Sequence, residues 1–314
     1  MPDDSSKRVT DCVTRSRAVV LFGGLGDQVL WLSLLSAFRD RCGGRVMVLA
    51  NKGGSRDLAE FFSGRSFDWL QEFETPPQVR LPQMVSHFQP EKVIRASHIF
   101  YDERERNHLI SRFGIGISDI ARIVLGIPTN APMVEPSLPA ACRLAAAERM
   151  KALGVPVGRT VLLSPWAHSW RCQLPDLWWE AAVKALSEKG FAVVCNVANR
   201  TRSIETRGSP VLPSIPGTIP VDIPVGEIIP FAEYCGYFLG MRSGLCDLLS
   251  RVNIGKIVVF PYADGIEAYL TGLPFDVACR FWSVSRAFHR DDIAEERVDA
   301  RKPFDPAILS RWLD

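Results

Sequence analysis

Arg17-Ala-Val-Val-Leu21 runs into Gly23-Gly-Leu-Gly-Asp27, an apolar-rich stretch to about Arg41, and then Arg45-Val-Met-Val-Leu-Ala-Asn51. A buried strand, a turn of small residues, an amphipathic helix and a second buried strand make one βαβ unit. The same order returns later in the chain. Arg159-Thr-Val-Leu-Leu163 leads into Ser164-Pro-Trp-Ala-His168, a helical run to about Lys189, and Ala192-Val-Val-Cys-Asn-Val-Ala-Asn199. Two such units imply an α/β protein with two Rossmann-like, doubly wound domains facing across a cleft, and that cleft is the expected seat of chemistry.

Working outward from the two units, the length of 314 residues suits about two domains. Residues 1–16 read as a loose polar tail, 17–138 as an N-terminal domain and 139–300 as a C-terminal domain. The segment 301–314 is expected to form a helix that packs back on the N-terminal domain. Pro128, Pro132, Pro136 and Pro139 mark an extended joining segment. In the first half, Arg56 to Phe73 reads as a helix and Lys92-Val-Ile-Arg95 as a short strand. Gly114-Ile-Gly116 precedes a helix that stops near Gly126. In the second half, a helix over Ala140–Leu153 closes at Gly154, and six prolines between 208 and 230 break up regular structure. Ile228 to Cys235 suits a short helix, Tyr237-Phe-Leu239 a buried strand, and Lys256-Ile-Val-Val-Phe260 a strand ended by Pro261.

Composition narrows the function classes. Lys and Arg number 37 against 35 Asp and Glu, a net charge of +2, which leaves no electrostatic footprint for a nucleic acid. The eight cysteines form no Cys-x-x-Cys and have no histidine at zinc-ligand spacing, so they read as reduced cytosolic thiols. The N-terminus lacks the apolar core of a secretory signal. The apolar run Val29–Phe38 is far short of the roughly 20 residues that cross a bilayer. These features place the protein in the cytoplasm, with room for a peripheral contact at the inner face of a membrane, and none bears on oligomeric state.

Three constellations carry charge or hydrogen-bonding groups at strand-to-helix turns. In the first, Gly23, Gly24 and Gly26 let the backbone come close to a ligand, and Asp27 and Gln28 follow in the first helical turn. The spacing is not the dinucleotide fingerprint Gly-x-Gly-x-x-Gly. Asp27 suits either a general base or a helix cap, and the two roles are compatible. In the second, Ser164, Trp166, His168 and Arg171 cluster beyond a strand end, where Arg171 can grip a phosphate and Trp166 or Trp170 can wall a base or sugar. In the third, Arg242-Ser-Gly-Leu245 offers a guanidinium and the free N–H groups of Ser243, Gly244 and Leu245 to an anion. Glu267 downstream can accept from ribose hydroxyls.

Together these residues resemble the two-domain GT-B glycosyltransferases, most nearly the bacterial lipopolysaccharide heptosyltransferases of glycosyltransferase family 9. The resemblance covers about residues 17 to 265. Gly23-Gly-Leu-Gly-Asp27 is similar to the family's Gly-Asp helix opening. Ser164-Pro-Trp-Ala-His168, Arg171 and Leu174-Pro-Asp-Leu-Trp178 are similar to the start of its C-terminal half. The family's late Asp-Ser/Thr-Gly-x-x-His motif corresponds to Arg242-Ser-Gly-Leu-Cys-Asp247, with arginine in place of the acid and aspartate in place of the histidine. The resemblance implies transfer of a sugar from a nucleoside-diphosphate sugar to a saccharide or glycolipid hydroxyl, with inversion, in surface polysaccharide or glycoconjugate synthesis. It implies Asp27 as base, Arg171, Arg242 and the 243–245 backbone on the diphosphate, no metal, and no cofactor besides the nucleotide-sugar co-substrate. The two departures keep the family's ADP-heptose donor from being carried over. A nonhydrolysing nucleotide-sugar epimerase and a sugar-nucleotide-binding protein without turnover are the competing readings.

Overall fold

The computed structural model describes residues 16–21, 24–51, 54–73, 92–96, 103–167, 170–197, 215–263 and 273–313. Gly23, His168 and Glu267 lie outside the described residues. The chain divides into two compact units, one of residues 1–101 and 117–138, the other of residues 102–116 and 139–314.

In the first unit, β1 (Ser16–Leu21), β2 (Arg45–Asn51), β3 (Trp69–Phe73) and β4 (Lys92–Ala96) form one sheet in the order β3-β2-β1-β4. Every pairing in it is parallel. Ala18, Val19 and Val20 are wholly buried, as expected of a strand covered on both faces. Helix α1 (Leu25–Cys42) is less amphipathic than its sequence suggests, for Gln28 through Leu35 are buried without a break. The extended segment after residue 128 accounts for part of this. Its Ala131 and Met133 are buried, and Val134 N–H donates to the Ser33 carbonyl at 2.8 Å, so the joining segment is packed against α1.

The expected helix over Arg56–Phe73 is corrected. Helix α2 (Gly54–Glu60) stops early, Gly64 takes a positive φ of 73°, and Trp69–Phe73 pairs with β2 as strand β3. Asp68 fixes that entry by accepting the Val46 N–H at 2.8 Å. The local apolar spacing suited a helix, but an open sheet edge beside β2 offered more backbone hydrogen bonds.

Helix α3 (Glu103–Phe113) belongs to the second unit, whereas α4 (Ile117–Leu125) returns to the first. The second unit then follows through α5 (Ala140–Leu153), β5 (Thr160–Ser164), α6 (Asp176–Glu188), β6 (Ala192–Asn196), β7 (Ile219–Val221), α7 (Val225–Cys235) and β8 (Gly236–Met241). It closes with α8 (Gly244–Leu249), β9 (Gly255–Tyr262), α9 (Phe275–Phe281), α10 (Val284–Phe288), β10 (Ile293–Asp299) and α11 (Ala307–Leu313). Its sheet has the order β10-β9-β8-β5-β6-β7, again all parallel. Counting from β5, that is the 3-2-1-4-5-6 order of a doubly wound nucleotide fold, with the order reversing between β5 and β8.

One further expectation changes. Pro261 does not end its strand, because β8 stops pairing at Val259 and only β10 flanks the last residues of β9, so the missing N–H breaks no ladder on the β8 side. Helix α11 packs within the second unit, its Trp312 ring 5.6 Å from Tyr237 and its Leu309 wholly buried.

Candidate functional site

The strand order of the second sheet brings together two constellations that lie far apart in sequence, Ser164 to Arg171 and Arg242 to Leu245. Ser164 at the end of β5 stands directly opposite Gly240 in β8, so the turns that leave these two strands emerge side by side at the carboxyl edge. That is the topological switch point, where open α/β sheets hold their ligands. The pairing is tight. A Cβ on Gly240 would lie 2.5 Å from Phe238 Cζ and 3.2 Å from Ser164 Cβ, which requires glycine there. Ser164 itself is 2 % exposed, at the base of the site.

The first of the two turns is held by side chains pointing inward. Trp170 is buried, donates its indole N–H to the Pro261 carbonyl at 2.8 Å and sets its ring edge-on to Phe260 at 5.4 Å. Trp170 therefore belongs to the core and is no wall for a sugar or base. Gln173, which sequence reasoning passed over, ties the loop together. Its amide donates to the Ala167 and Trp170 carbonyls while its oxygen accepts the Ala167 N–H. The available signal was an amide placed just after a loop, able to satisfy donors and acceptors at once. With the loop so fixed, Trp166 is half-buried and Arg171 is exposed on the adjoining bend.

The second turn departs from its expected use. Arg242 is buried, and its guanidinium is committed within the unit. Nε donates to the Trp282 carbonyl at 2.7 Å, Nη1 to the Ser243 carbonyl at 2.7 Å and to Asp247 Oδ2 at 2.8 Å, and Nη2 to Asp247 Oδ1 at 2.9 Å. Four of roughly five available N–H groups are thus occupied, so the expected grip on a diphosphate is corrected to a structural one. Burial opposes the charge, yet Asp247 outweighs it and the guanidinium titrates above its ordinary range. The two positions at which the motif departs from the heptosyltransferase pattern are bonded to each other. Sequence alone hides this because residues five apart are not neighbours on a helix face.

Around that pair the turn is well ordered. Ser243 occupies the N-cap position of α8 in an extended conformation without a side-chain cap bond. Gly244 and Leu245 are the first helical residues, whose N–H groups have no preceding intrahelical carbonyl. Cys246 donates to the Met241 carbonyl at 3.2 Å, and burial pushes its thiol up to about 11, so it is no nucleophile at neutral pH.

In the first unit, Gly24 is the N-cap of α1 and Asp27 lies in the first turn, half-buried, accepting the Gly24 N–H at 3.1 Å. Asp27 thus reaches back from the third helical position rather than capping from the N-cap itself. Gly26 and Gln28 are buried beside it. Among the described residues no group of three or more His, Cys, Asp or Glu could hold a metal ion, and no helix is long and apolar enough to cross a membrane.

No protein-family model matches the sequence, and no curated protein matches it. Solved structures do. A family 9 glycosyl transferase from Veillonella parvula superposes with a TM-score of 0.62 at 11 % identity, covering 90 % of this chain and 86 % of that one. The heptosyltransferase WaaC of E. coli, solved with ADP, gives a TM-score of 0.52 at 10 % identity, covering 95 % and 98 %. The iron-containing dodecameric glycosyltransferase TibC of enterotoxigenic E. coli gives 0.51 at 17 % identity, covering 78 % of this chain and 58 % of TibC. The chain has the GT-B-like fold of the family 9 glycosyltransferases.

Proposed function

We propose that the protein is a glycosyltransferase that moves a sugar from a nucleoside-diphosphate sugar to a saccharide or glycolipid hydroxyl with inversion. The observation that carries this reading is the alignment of Ser164 with Gly240, which sets the Arg171 turn and the 243–245 turn together at the switch point of the second sheet. The likeness to ADP-bound WaaC supports a nucleotide-sugar donor.

In this mechanism Arg171 and the backbone N–H groups of Ser243 to Leu245 hold the diphosphate, and Arg242 with Asp247 keeps the second turn in shape. Asp27 takes the proton from the acceptor hydroxyl. The acceptor oxygen bonds to the anomeric carbon from the face opposite the diphosphate, and the bond from that carbon to the diphosphate oxygen breaks. Its electron pair leaves on the nucleoside diphosphate, whose developing charge the N–H groups and Arg171 stabilise. The residues at 242 and 247 are bonded to each other, which supports a working turn rather than a decayed one.

The test is a thermal-shift screen with ADP, GDP, UDP, CMP and dTDP, followed by transfer assays with the matching sugar donors. A ligand at 100 times its Kd adds roughly 2.7 kcal/mol to stability. Stabilisation by one nucleoside diphosphate and donor-dependent glycosylation of a saccharide are the expected results. Conversion of the nucleotide sugar without any acceptor would replace the reading with epimerisation, and binding without turnover across a broad panel would replace it with a binding role.

A further inference from the structure

Exposure alternates along the chain at Arg171. Trp170, Cys172 and Leu174 are buried, whereas Arg171 and Gln173 are exposed, so these two share the outer side of the turn that leaves β5. Gln173 folds its amide back onto the chain. Nε2 donates to the Ala167 carbonyl at 2.9 Å and to the Trp170 carbonyl, and Oε1 accepts the Ala167 N–H at 3.4 Å. Both kinds of hydrogen-bonding group in the amide are thereby used on backbone.

The bond to Trp170 bears directly on Arg171. That carbonyl belongs to the peptide group joining the two residues, and a planar peptide moves its oxygen, its nitrogen and the next Cα as one body. Holding the oxygen therefore fixes the plane from which the Arg171 side chain departs. The Trp170 side chain is anchored in the core at the same time. Its indole N–H donates to the Pro261 carbonyl at 2.8 Å, and its ring stands edge-on to Phe260 at 5.4 Å and to Phe275 at 6.4 Å. Cys172 follows, 2 % exposed. The backbone at Arg171 is thus set from both sides.

We propose that Gln173 is a positioning residue for diphosphate binding, acting through the backbone that carries Arg171. The inference rests on the transfer reading, which puts Arg171 on the diphosphate. A turn ordered before the ligand arrives relieves binding of the cost of ordering it, and a two-pronged guanidinium grip depends on the direction from which it approaches. Glutamine suits this task by its chemistry. An ionised glutamate would present acceptors to two carbonyl oxygens, and an apolar side chain would present nothing. Because Gln173 is exposed, water takes over its hydrogen bonds when it is replaced, so the fold should persist while the aim of Arg171 loosens.

Calorimetry with inorganic pyrophosphate, a diphosphate with neither base nor sugar, tests this in a double-mutant cycle of Gln173→Met and Arg171→Gln. Methionine keeps an unbranched side chain of similar length without the amide. Arg171→Gln should weaken pyrophosphate by about tenfold or more, and Gln173→Met by about three- to tenfold. In the Arg171→Gln background, Gln173→Met should change affinity by less than about twofold, because no guanidinium remains to be aimed. Gln173→Ala should repeat the pattern, with urea midpoints close to wild type in each variant. Should Arg171→Gln weaken binding while Gln173→Met weakens it equally in both backgrounds, or in neither, the positioning role would be overturned and Arg171 would stay on the diphosphate. Pyrophosphate that binds Arg171→Gln as tightly as wild type, or that binds neither, would take Arg171 off the diphosphate, and the inference would fall with that assignment.

Discussion

Two strand-to-helix turns, each beside the point where its sheet reverses strand order, hold an acidic residue in opposite ways. After β1, Asp27 is half-buried and its carboxylate accepts the N–H of Gly24 at 3.1 Å, an exposed contact. After β8, Asp247 is buried and clamps Arg242 through both oxygens. The first carboxylate sits in a setting where a proton can reach it. The second is consumed by the architecture. A charge that must act on a ligand has to stay within reach of solvent and substrate, while a charge that shapes a turn is most effective where water cannot compete.

The largest effects should separate the two turns. Asp27→Asn removes the proposed base while keeping the shape, and donor-to-acceptor transfer should fall about 10²- to 10⁴-fold. Its stability should move by about 1 kcal/mol, the scale of a weakened helix-start contact. Arg242→Ala should do the reverse and cost about 3–5 kcal/mol in urea denaturation, since Asp247 is left buried without its partner. Replacing both, Arg242→Met with Asp247→Leu, should recover stability to within about 2 kcal/mol of wild type, the remainder being the Ser243 and Trp282 carbonyls that lose their donor. An Arg242→Ala variant as stable as wild type but unable to bind nucleotide would erase the contrast and return Arg242 to the ligand.

The same contrast explains what could be read from the sequence. Strands β1, β2, β5 and β6 announce themselves because parallel strands buried on both faces are continuous apolar runs, as Ala18-Val-Val20 and Val193-Val-Cys195 show. The positions of the turns follow from those strands. Strand β3 was illegible because Trp69-Leu-Gln-Glu-Phe73 has no apolar run of its own and owes its state to the vacant edge of β2. Arg242 was misassigned for a related reason. An arginine beside serine and glycine has the composition of an anion site, and only the third dimension shows that Asp247 and the Trp282 carbonyl take up its hydrogen bonds. Gln173 was missed because its partners are backbone atoms, which leave no mark in the residue pattern.

A third pair, more exposed than Arg242–Asp247, grades the comparison. Lys256 is 2 % exposed and donates to the Val252 carbonyl at 2.5 Å and to Asp292 at 2.8 Å. Arg290 and then Lys256 hold the Asp292 carboxyl well below the usual carboxylate range. A folded value below the unfolded one of about 3.9 means that this stability is present above that pH and is lost as the pH falls through the folded value. Burial lowers Lys256, despite the opposing pull of Asp292, so stability should also rise with pH between its folded value and about 10.4. Urea midpoints measured from pH 2 to 5 should therefore drop on the acid side, and Asp292→Asn should flatten that drop. The loss at neutral pH should be smaller than for Arg242→Ala, because water reaches Asp292. An unchanged acid slope in Asp292→Asn would assign the drop to other carboxylates.

The smallest expected change in stability is the sharpest probe of where a ligand sits. Gly240 is required by its neighbours, as the Phe238 ring and Ser164 leave no room for a Cβ, but Gly24 has no such reason. Its φ of −74° and ψ of 173° suit any residue, and a Cβ there meets nothing within 4 Å among the described residues. Gly24→Ser keeps a favoured N-cap residue and removes backbone freedom from the unfolded chain, so stability should stay level or rise by up to about 1 kcal/mol. If acceptor or donor comes against the backbone at this turn, the added CH₂OH will occupy its space, and transfer will fall while stability does not. A variant that is both as stable and as active as wild type would show that the open space before Gly24 is solvent, and would move the acceptor away from the β1–α1 turn.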